Sequence, residues 1–274
     1  MEQNLYKKKI VLLKLGGSLI TDKQKPFTPK ISVIDDLSRQ IKEALAEDKS
    51  LQLIIGNGGG SFPHYPALKY QMNEGIKRED QKFGFCLVQD AASRLNRIVV
   101  DSLLKHNLKA LSLNPSSMIV TKNGKIKKFF PYPLFSILNL GLIPVTYGDI
   151  VFDEEKGSFI LSTERILNFL ALFLKKKGFK IDKVIHNGLT QGVLDEKGKT
   201  IEKITLKNFS KIEKNFYQNL GFDVTGGMLH KVKESLYLTK YEIKSFIING
   251  TAKKNLLKKA LLGEEVLGTW ITRG

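Results

Sequence analysis

The stretch Ile10-Val11-Leu12-Leu13-Lys14-Leu15-Gly16-Gly17-Ser18 decides the class of fold. An aliphatic run without polar alternation reads as a strand buried on both faces, as in parallel sheets. The glycines that end it permit close backbone approach, and free N–H groups at a strand-to-helix junction form an anion cradle. Further along, 31–46 carries Ile34, Leu37, Ile41 and Leu45 at helical spacing, and Leu51-Gln52-Leu53-Ile54-Ile55 repeats the buried-strand pattern. The three segments form a βαβ unit, expected to be right-handed. The second strand runs into a second glycine cluster, Gly58-Gly59-Gly60-Ser61-Phe62-Pro63-His64. A third, Asp223-Val224-Thr225-Gly226-Gly227-Met228-Leu229-His230-Lys231, sets a lysine one helical turn beyond its glycines. A lone Gly-Gly after a strand is usually only a tight turn. Three clusters beside Lys14, His64 and Lys231 point instead to phosphate, and two strand-end cradles to two phosphate-bearing ligands. No Gly-x-x-x-x-Gly-Lys-[Ser/Thr] loop follows a strand, which disfavours the usual mononucleotide folds.

The remaining chain continues the alternation. Leu87, Ala91, Leu95, Ile98 and Leu103 predict a helix over 87–106, and 133–140 predicts another between strands at 110–113 and 143–146. Glu154-Glu155-Lys156-Gly157 has the chemistry of a hairpin turn joining 151–153 to 158–161. A helix over 164–176 follows, with Ser162 or Thr163 as its N-cap. Then come a strand at 183–185, a second hairpin over 193–201, a helix over 227–240, a strand at 246–248 and a short helix over 253–262. The expected fold is α/β: a three-layer αβα sandwich around one continuous, largely parallel sheet. The chain reads as a single domain over 1–274, with about 1–148 serving one ligand and about 149–274 the other.

Composition narrows the partners. Lys+Arg 44 against Asp+Glu 27 gives a net charge of +17, which raises nucleic acid or an anionic membrane surface as partners. The lysines are scattered in short clusters such as Lys127-Lys128 and Lys175-Lys176-Lys177, as on a solvated basic surface, so neither partner is expected. No run approaches the ~18 apolar residues of a membrane span. Cys86 is the only cysteine, so no intrachain disulfide and no cysteine-based metal site can form, in keeping with a reducing cytoplasm.

Taken together, Lys14-Leu15-Gly16-Gly17-Ser18, Thr21-Asp22-Lys23, Gly58-Gly59-Gly60-Ser61-Phe62-x-His64, Pro144-Val145-Thr146-Tyr147-Gly148-Asp149 and Asp223-Val224-Thr225-Gly226-Gly227-Met228-x-x-Lys231 resemble the amino acid kinase superfamily, and within it the isopentenyl phosphate kinases. The resemblance implies transfer of the γ-phosphoryl group of ATP, carried with Mg²⁺, to the phosphate of isopentenyl phosphate, in a homodimer without a dedicated protein metal site. It assigns Lys14 to the transferring phosphate, Lys23 to charge in the transition state, and Lys231 to the ATP phosphates. His64 falls to the acceptor phosphate, with Gly59 and Thr163 beside it. Gly16, Gly17, Ser18, Gly60, Asp223, Gly226 and Gly227 fall to ATP. The bottom-up chemistry agrees: a phosphate acceptor is ionised enough to attack without a strong base, so the need is positive charge and N–H donors around two polyanions. Phe83, Phe85, Leu87 and Val88 are candidates to line an isoprenoid pocket, and Phe83 and Leu87 carry that assignment.

The chain departs from the family where Ser162-Thr163-Glu164-Arg165 stands for Ser-Gly-Asp-Asp, and where Gly188-Leu189-Thr190-Gln191-Gly192 stands for Thr-Asp-Val-Asp-Gly. Pro63 replaces a glycine before His64. The first change sets a cation, Arg165, where the family has a carboxylate. Two alternatives stay open: a kinase of another small phosphate or phosphonate, of the fosfomycin type, and a non-catalytic nucleotide-binding member of the fold.

Overall fold

The computed structural model describes residues 8–218 and 227–274. The expected βαβ unit is present as β1 (Lys9–Leu15), α2 (Ile31–Glu47) and β2 (Leu51–Asn57), with a one-turn helix α1 (Gly17–Ile20) directly after the first glycine pair. There follow α3 (His64–Lys69), α4 (Glu79–Lys105), β3 (Ala110–Ser112), β4 (Ile119–Lys122), β5 (Lys125–Phe129), α5 (Tyr132–Asn139) and β6 (Ile143–Tyr147). The second part holds β7 (Asp149–Asp153), β8 (Gly157–Leu161), α6 (Thr163–Lys176), β9 (Ile181–Asn187), β10 (Lys203–Ile204), α7 (Phe209–Gln218), α8 (Gly227–Thr239), β11 (Lys244–Ile248), α9 (Leu256–Leu262) and β12 (Thr269–Ile271).

Among the described residues the main sheet has the order β10-β12-β11-β9-β1-β2-β6-β3, and only the β11–β12 pair is antiparallel. Strand parity sorts the core into two layers. Val11, Leu13 and Leu15 face α2, α4 and α9 with Leu37, Ile41, Leu95 and Leu257. Ile10 and Leu12 face α6 with Ile166, Leu167 and Leu170. Lys14 shares the parity of Ile10 and Leu12, so it emerges on the α6 side at the carboxyl end of the strand. That end of an open parallel sheet is where ligands bind.

The sheet is not one continuous surface, contrary to the sequence-based expectation. β7 and β8 leave it and pair with β4 and β5 in a separate four-stranded sheet of order β5-β4-β7-β8. Lys125, Lys127 and Lys128 conceal β5 in a sequence reading, because an exposed strand carries little apolar pattern. The β4–β7 pair also joins residues from either side of position 148, so the small sheet spans the expected boundary between the halves. The helix expected over 87–106 starts eight residues earlier, at Glu79, where the Gln81 side chain accepts from the N–H groups of Lys77 at 2.7 Å and Arg78 at 3.0 Å. The hairpin expected over 193–201 reduces to a single bridge between Leu194 and Thr200 around a turn held by Asp195.

One buried carboxylate ties the small sheet together. Asp153, 4% exposed, accepts from Thr121 Oγ1 and Gly124 N–H at 2.8 Å, and from the N–H groups of Asn123, Glu155 and Lys156 at 3.2, 3.0 and 2.9 Å. Burial alone would raise its pKa; the donated hydrogen bonds, led by Gly124, outweigh burial and hold it well below the usual carboxylate range. A depressed folded pKa stabilises the fold above the unfolded value of about 4, and that stability is lost as pH falls through the folded pKa. Asp153→Ala should therefore lower unfolding stability by ~3 kcal/mol at neutral pH, since several N–H donors lose a charged acceptor. Urea unfolding at a series of pH values checks this: the gap between wild type and variant should begin to narrow below about pH 4 and go on narrowing as pH falls toward the folded pKa.

Candidate active site

The two glycine loops meet at the carboxyl ends of β1 and β2. The Gly58 N–H donates to Leu15 O at 2.8 Å, and the Gly16 N–H to Asn187 O at 2.8 Å. A Cβ on Gly17 would lie 2.3 Å from Gly60 N, and one on Gly58 2.6 Å from Gly17 N. The glycines thus answer a packing demand as well as any ligand: two backbones touch where no side chain fits. Gly60 holds a positive φ of 53°, open to glycine without strain. Thr21, fully buried, joins the loops, its Oγ1 donating to Gly17 O at 2.8 Å and accepting from Ser61 N–H at 3.0 Å. The threonine of the Thr-Asp-Lys match is therefore a staple, and it projects the exposed Lys23 two residues on. Pro63 packs against Gly59, where an added Cβ would meet its ring at 2.3 Å, and leads directly into His64, the first residue of α3.

The structure brings the predicted lysines together. Lys14 is 9% exposed and forms an ion pair with Glu164 at the start of α6. Burial, then the charges of Lys231 and Lys23, hold its pKa well below the usual lysine range even with Glu164 in contact. The same electrostatics bind His64 to the group: partial burial and the charge of Lys23 lower its pKa. An anion arriving among these cations would remove their mutual repulsion, and that repulsion is the driving force the site offers a phosphate. Among the described residues no group of three or more His, Cys, Asp or Glu side chains gathers as a metal cage. Asp223 and Gly226 lie outside the described residues; Gly227 opens α8, and Lys231 follows one turn later.

Glu164, the ion-pair partner of Lys14, is a residue that sequence reasoning passed over. The comparison of Ser162-Thr163-Glu164-Arg165 with Ser-Gly-Asp-Asp drew attention to Arg165, although Glu164 keeps a carboxylate one methylene longer than the family's. Arg165 does not enter the site. It donates to Gly124 O at 2.6 Å and lies 5.2 Å from the centre of the Phe159 ring, bracing α6 against the small sheet. Ser162 caps α6, accepting from the Arg165 N–H at 3.3 Å. Thr163 is buried, with its hydroxyl donating to Asn57 O at 2.8 Å. Gly56 leaves room for this helix start, because a Cβ there would meet Thr163 Cγ2 at 2.7 Å. Asp149 is also enclosed, accepting from Ser116 N–H at 3.0 Å and Ile150 N–H at 2.9 Å; burial pushes its pKa up to about 6.

The apolar candidates divide. Phe83 is 60% exposed, edge-on to Tyr70, and Leu87 is half-buried. Val88 is buried with Ala67, Met72 and Ile150 in a separate cluster between α3, α4 and β7, and Phe85 stacks on Phe152 at 4.9 Å. Among the described residues no helix is long and apolar enough to cross a membrane.

Comparison with known proteins places this geometry. The model of the amino acid kinase family matches residues 9–249. The isopentenyl phosphate kinase of Methanocaldococcus jannaschii is 35% identical over 96% of this chain and 98% of its own. That of Methanothermobacter thermautotrophicus is 33% identical over 96% and 99%. A crystallographically determined isopentenyl phosphate kinase superposes with a TM-score of 0.81 at 29% identity, covering 96% of this chain and all of that one. Paired glycine loops, a buried lysine at the end of β1 and a continuous match across the sheet lead to one conclusion: the chain belongs to the amino acid kinase family.

Proposed function

We propose that this chain transfers the γ-phosphoryl group of MgATP to the phosphate of isopentenyl phosphate, forming isopentenyl diphosphate and ADP. The observation that carries the reading is the convergence of Lys14, Lys23 and Lys231, with His64 beside Lys23, in a chain so similar throughout to the isopentenyl phosphate kinases named above. An acceptor phosphate oxygen attacks the γ-phosphorus, and the bond to the β,γ-bridging oxygen breaks; no base is needed to make the nucleophile. Lys14 and Lys23 stabilise the charge that spreads over the equatorial oxygens, while Lys231 holds the ATP phosphates with the Gly16, Gly17, Ser18 and Gly60 backbone, Gly227, and Asp223 and Gly226. His64, with the Gly59 backbone and Thr163, holds the acceptor phosphate. Glu164 keeps the Lys14 ammonium in place until phosphate displaces it. The isoprenoid tail lies over the Ala67, Met72, Val88 and Ile150 cluster, with Phe83 and Leu87 at its rim. The acceptor belongs mainly to residues 1–148 and the nucleotide to 149–274; the working form is a cytoplasmic homodimer.

A panel of acceptors with MgATP tests the reading: isopentenyl, dimethylallyl and geranyl phosphates, fosfomycin, uridine monophosphate and acetylglutamate, followed as ADP release and product mass. Isopentenyl phosphate should give the highest kcat/KM. A faster reaction with fosfomycin would favour the phosphonate reading, and ATP binding without any acceptor-dependent ADP the non-catalytic one. In the same assay His64→Ala should raise the KM for isopentenyl phosphate at least tenfold, the value of a hydrogen bond to a charged group at ~1.5–3 kcal/mol, with MgATP affinity unchanged. An unaltered acceptor KM would remove His64 from the acceptor site.

A further inference from the structure

His186 lies in the same cross-sheet row as Lys14, paired with it in the parallel register of β9 and β1, and flanked on its other side by Ile247 of β11. Paired residues in a parallel ladder project to one face, so both side chains lie on the side of α6 and α8. The imidazole is 2% exposed. Its Nε2 is 3.4 Å from Ser235 Oγ on α8, and Nδ1 has no hydrogen-bond partner among the described residues. Lys231 precedes Ser235 by four positions on the same helix face, toward the start of α8. The ring is therefore held beside Lys14 and one helical turn below Lys231. Burial, then the charges of Lys231 and Lys14, hold its pKa well below the usual histidine range.

A neutral imidazole carries one N–H and one lone pair. In the tautomer that donates Nε2–H to Ser235, the lone pair falls on Nδ1, the buried nitrogen that lacks a partner. Buried polar atoms without partners are rare and call for a reason. A carboxylate such as Glu164 holds a lysine but cancels its charge. A neutral acceptor orients an ammonium group and leaves its charge for the phosphate. We propose that His186 is a positioning residue for Lys14, its Nδ1 lone pair steering that ammonium group toward the nucleotide phosphates once phosphate draws it off Glu164, without neutralising it. The proposal rests on the kinase reading above.

The test uses the full chain and two substitutions, with MgATP affinity measured by calorimetry and turnover measured with isopentenyl phosphate. His186→Phe fills the space without an acceptor; His186→Asn keeps an acceptor at the δ position. His186→Phe should weaken MgATP binding and lower kcat, each by about tenfold, the loss of one hydrogen bond to a charged group. The acceptor KM should stay within about threefold, and His186→Asn should restore both quantities to within about threefold of wild type. Wild-type affinity in His186→Phe, or equal losses in both variants, overturns the proposal and leaves His186 as core packing. Should His186→Phe not fold, Ser235→Ala decides: it frees Nε2 from its partner and should weaken MgATP about threefold, whereas unchanged affinity overturns the idea. Wild type that binds MgATP but does not turn over isopentenyl phosphate, with the Phe and Asn pattern intact in affinity, defeats the acceptor assignment and upholds the role of His186.

Discussion

Lys14→Met should lower kcat by about 10²- to 10³-fold, the effect of removing one preorganised charge from a phosphoryl-transfer site. Methionine matches the lysine stem in length, so the packing at the end of β1 is kept and only the ammonium is lost. The loss is compounded because Glu164, whose partner Lys14 is, would be left as an unpaired carboxylate facing an incoming polyanion. Glu164→Gln added to Lys14→Met should therefore recover part of the rate, a double-mutant result that simple loss of a ligand does not produce. Lys23 sits at an exposed position, and on the proposed reading Lys23→Met should reduce kcat with only modest change in either substrate's affinity. Steady-state ADP release with saturating MgATP and isopentenyl phosphate measures all of these. A kcat within threefold of wild type in Lys14→Met would remove that lysine from the reaction.

Gly17→Ala should both destabilise the fold and abolish tight MgATP binding. The added Cβ would lie 2.3 Å from Gly60 N and 2.7 Å from Gly60 Cα, both backbone atoms in a loop that Thr21 fixes in place. Neither can rotate away as a side chain would, so the two loops must part, at a cost of about 3 kcal/mol by analogy with severe overpacking. Gly188 supplies the contrast. Nothing among the described residues lies within 4 Å of a Cβ built there, so Gly188→Ala should stay within about 0.5 kcal/mol of wild type. Urea midpoints for the two variants, with MgATP affinity by calorimetry, check the difference. Equal midpoints would mean that the glycine loops meet only loosely.

The sequence by itself determined the βαβ start and the parallel sheet, and it singled out the lysines that the structure brings together. Each of those signals is local. An aliphatic run such as 10–13 buries both faces of a strand wherever the strand sits, and glycines after it mark a junction that side chains would block. The likeness of the glycine and lysine motifs to one family extended the reading to a reaction.

What only the tertiary structure decided depends on which strands are neighbours, and local periodicity carries no record of that. Nothing in Lys125–Phe129 announces a strand, because its pairing comes from β4, which is itself paired with the distant β7 in a separate sheet. Glu164 and Arg165 are adjacent in sequence yet serve opposite ends of one helix start: Glu164 reaches Lys14, and Arg165 reaches Gly124 O. His186 reads as one polar residue in a strand until register sets it beside Lys14 and α8 packing sets it below Lys231. The glycines carry two meanings that composition merges. Gly17 and Gly58 are required where two backbones touch, a constraint that exists only once β1 and β2 lie side by side.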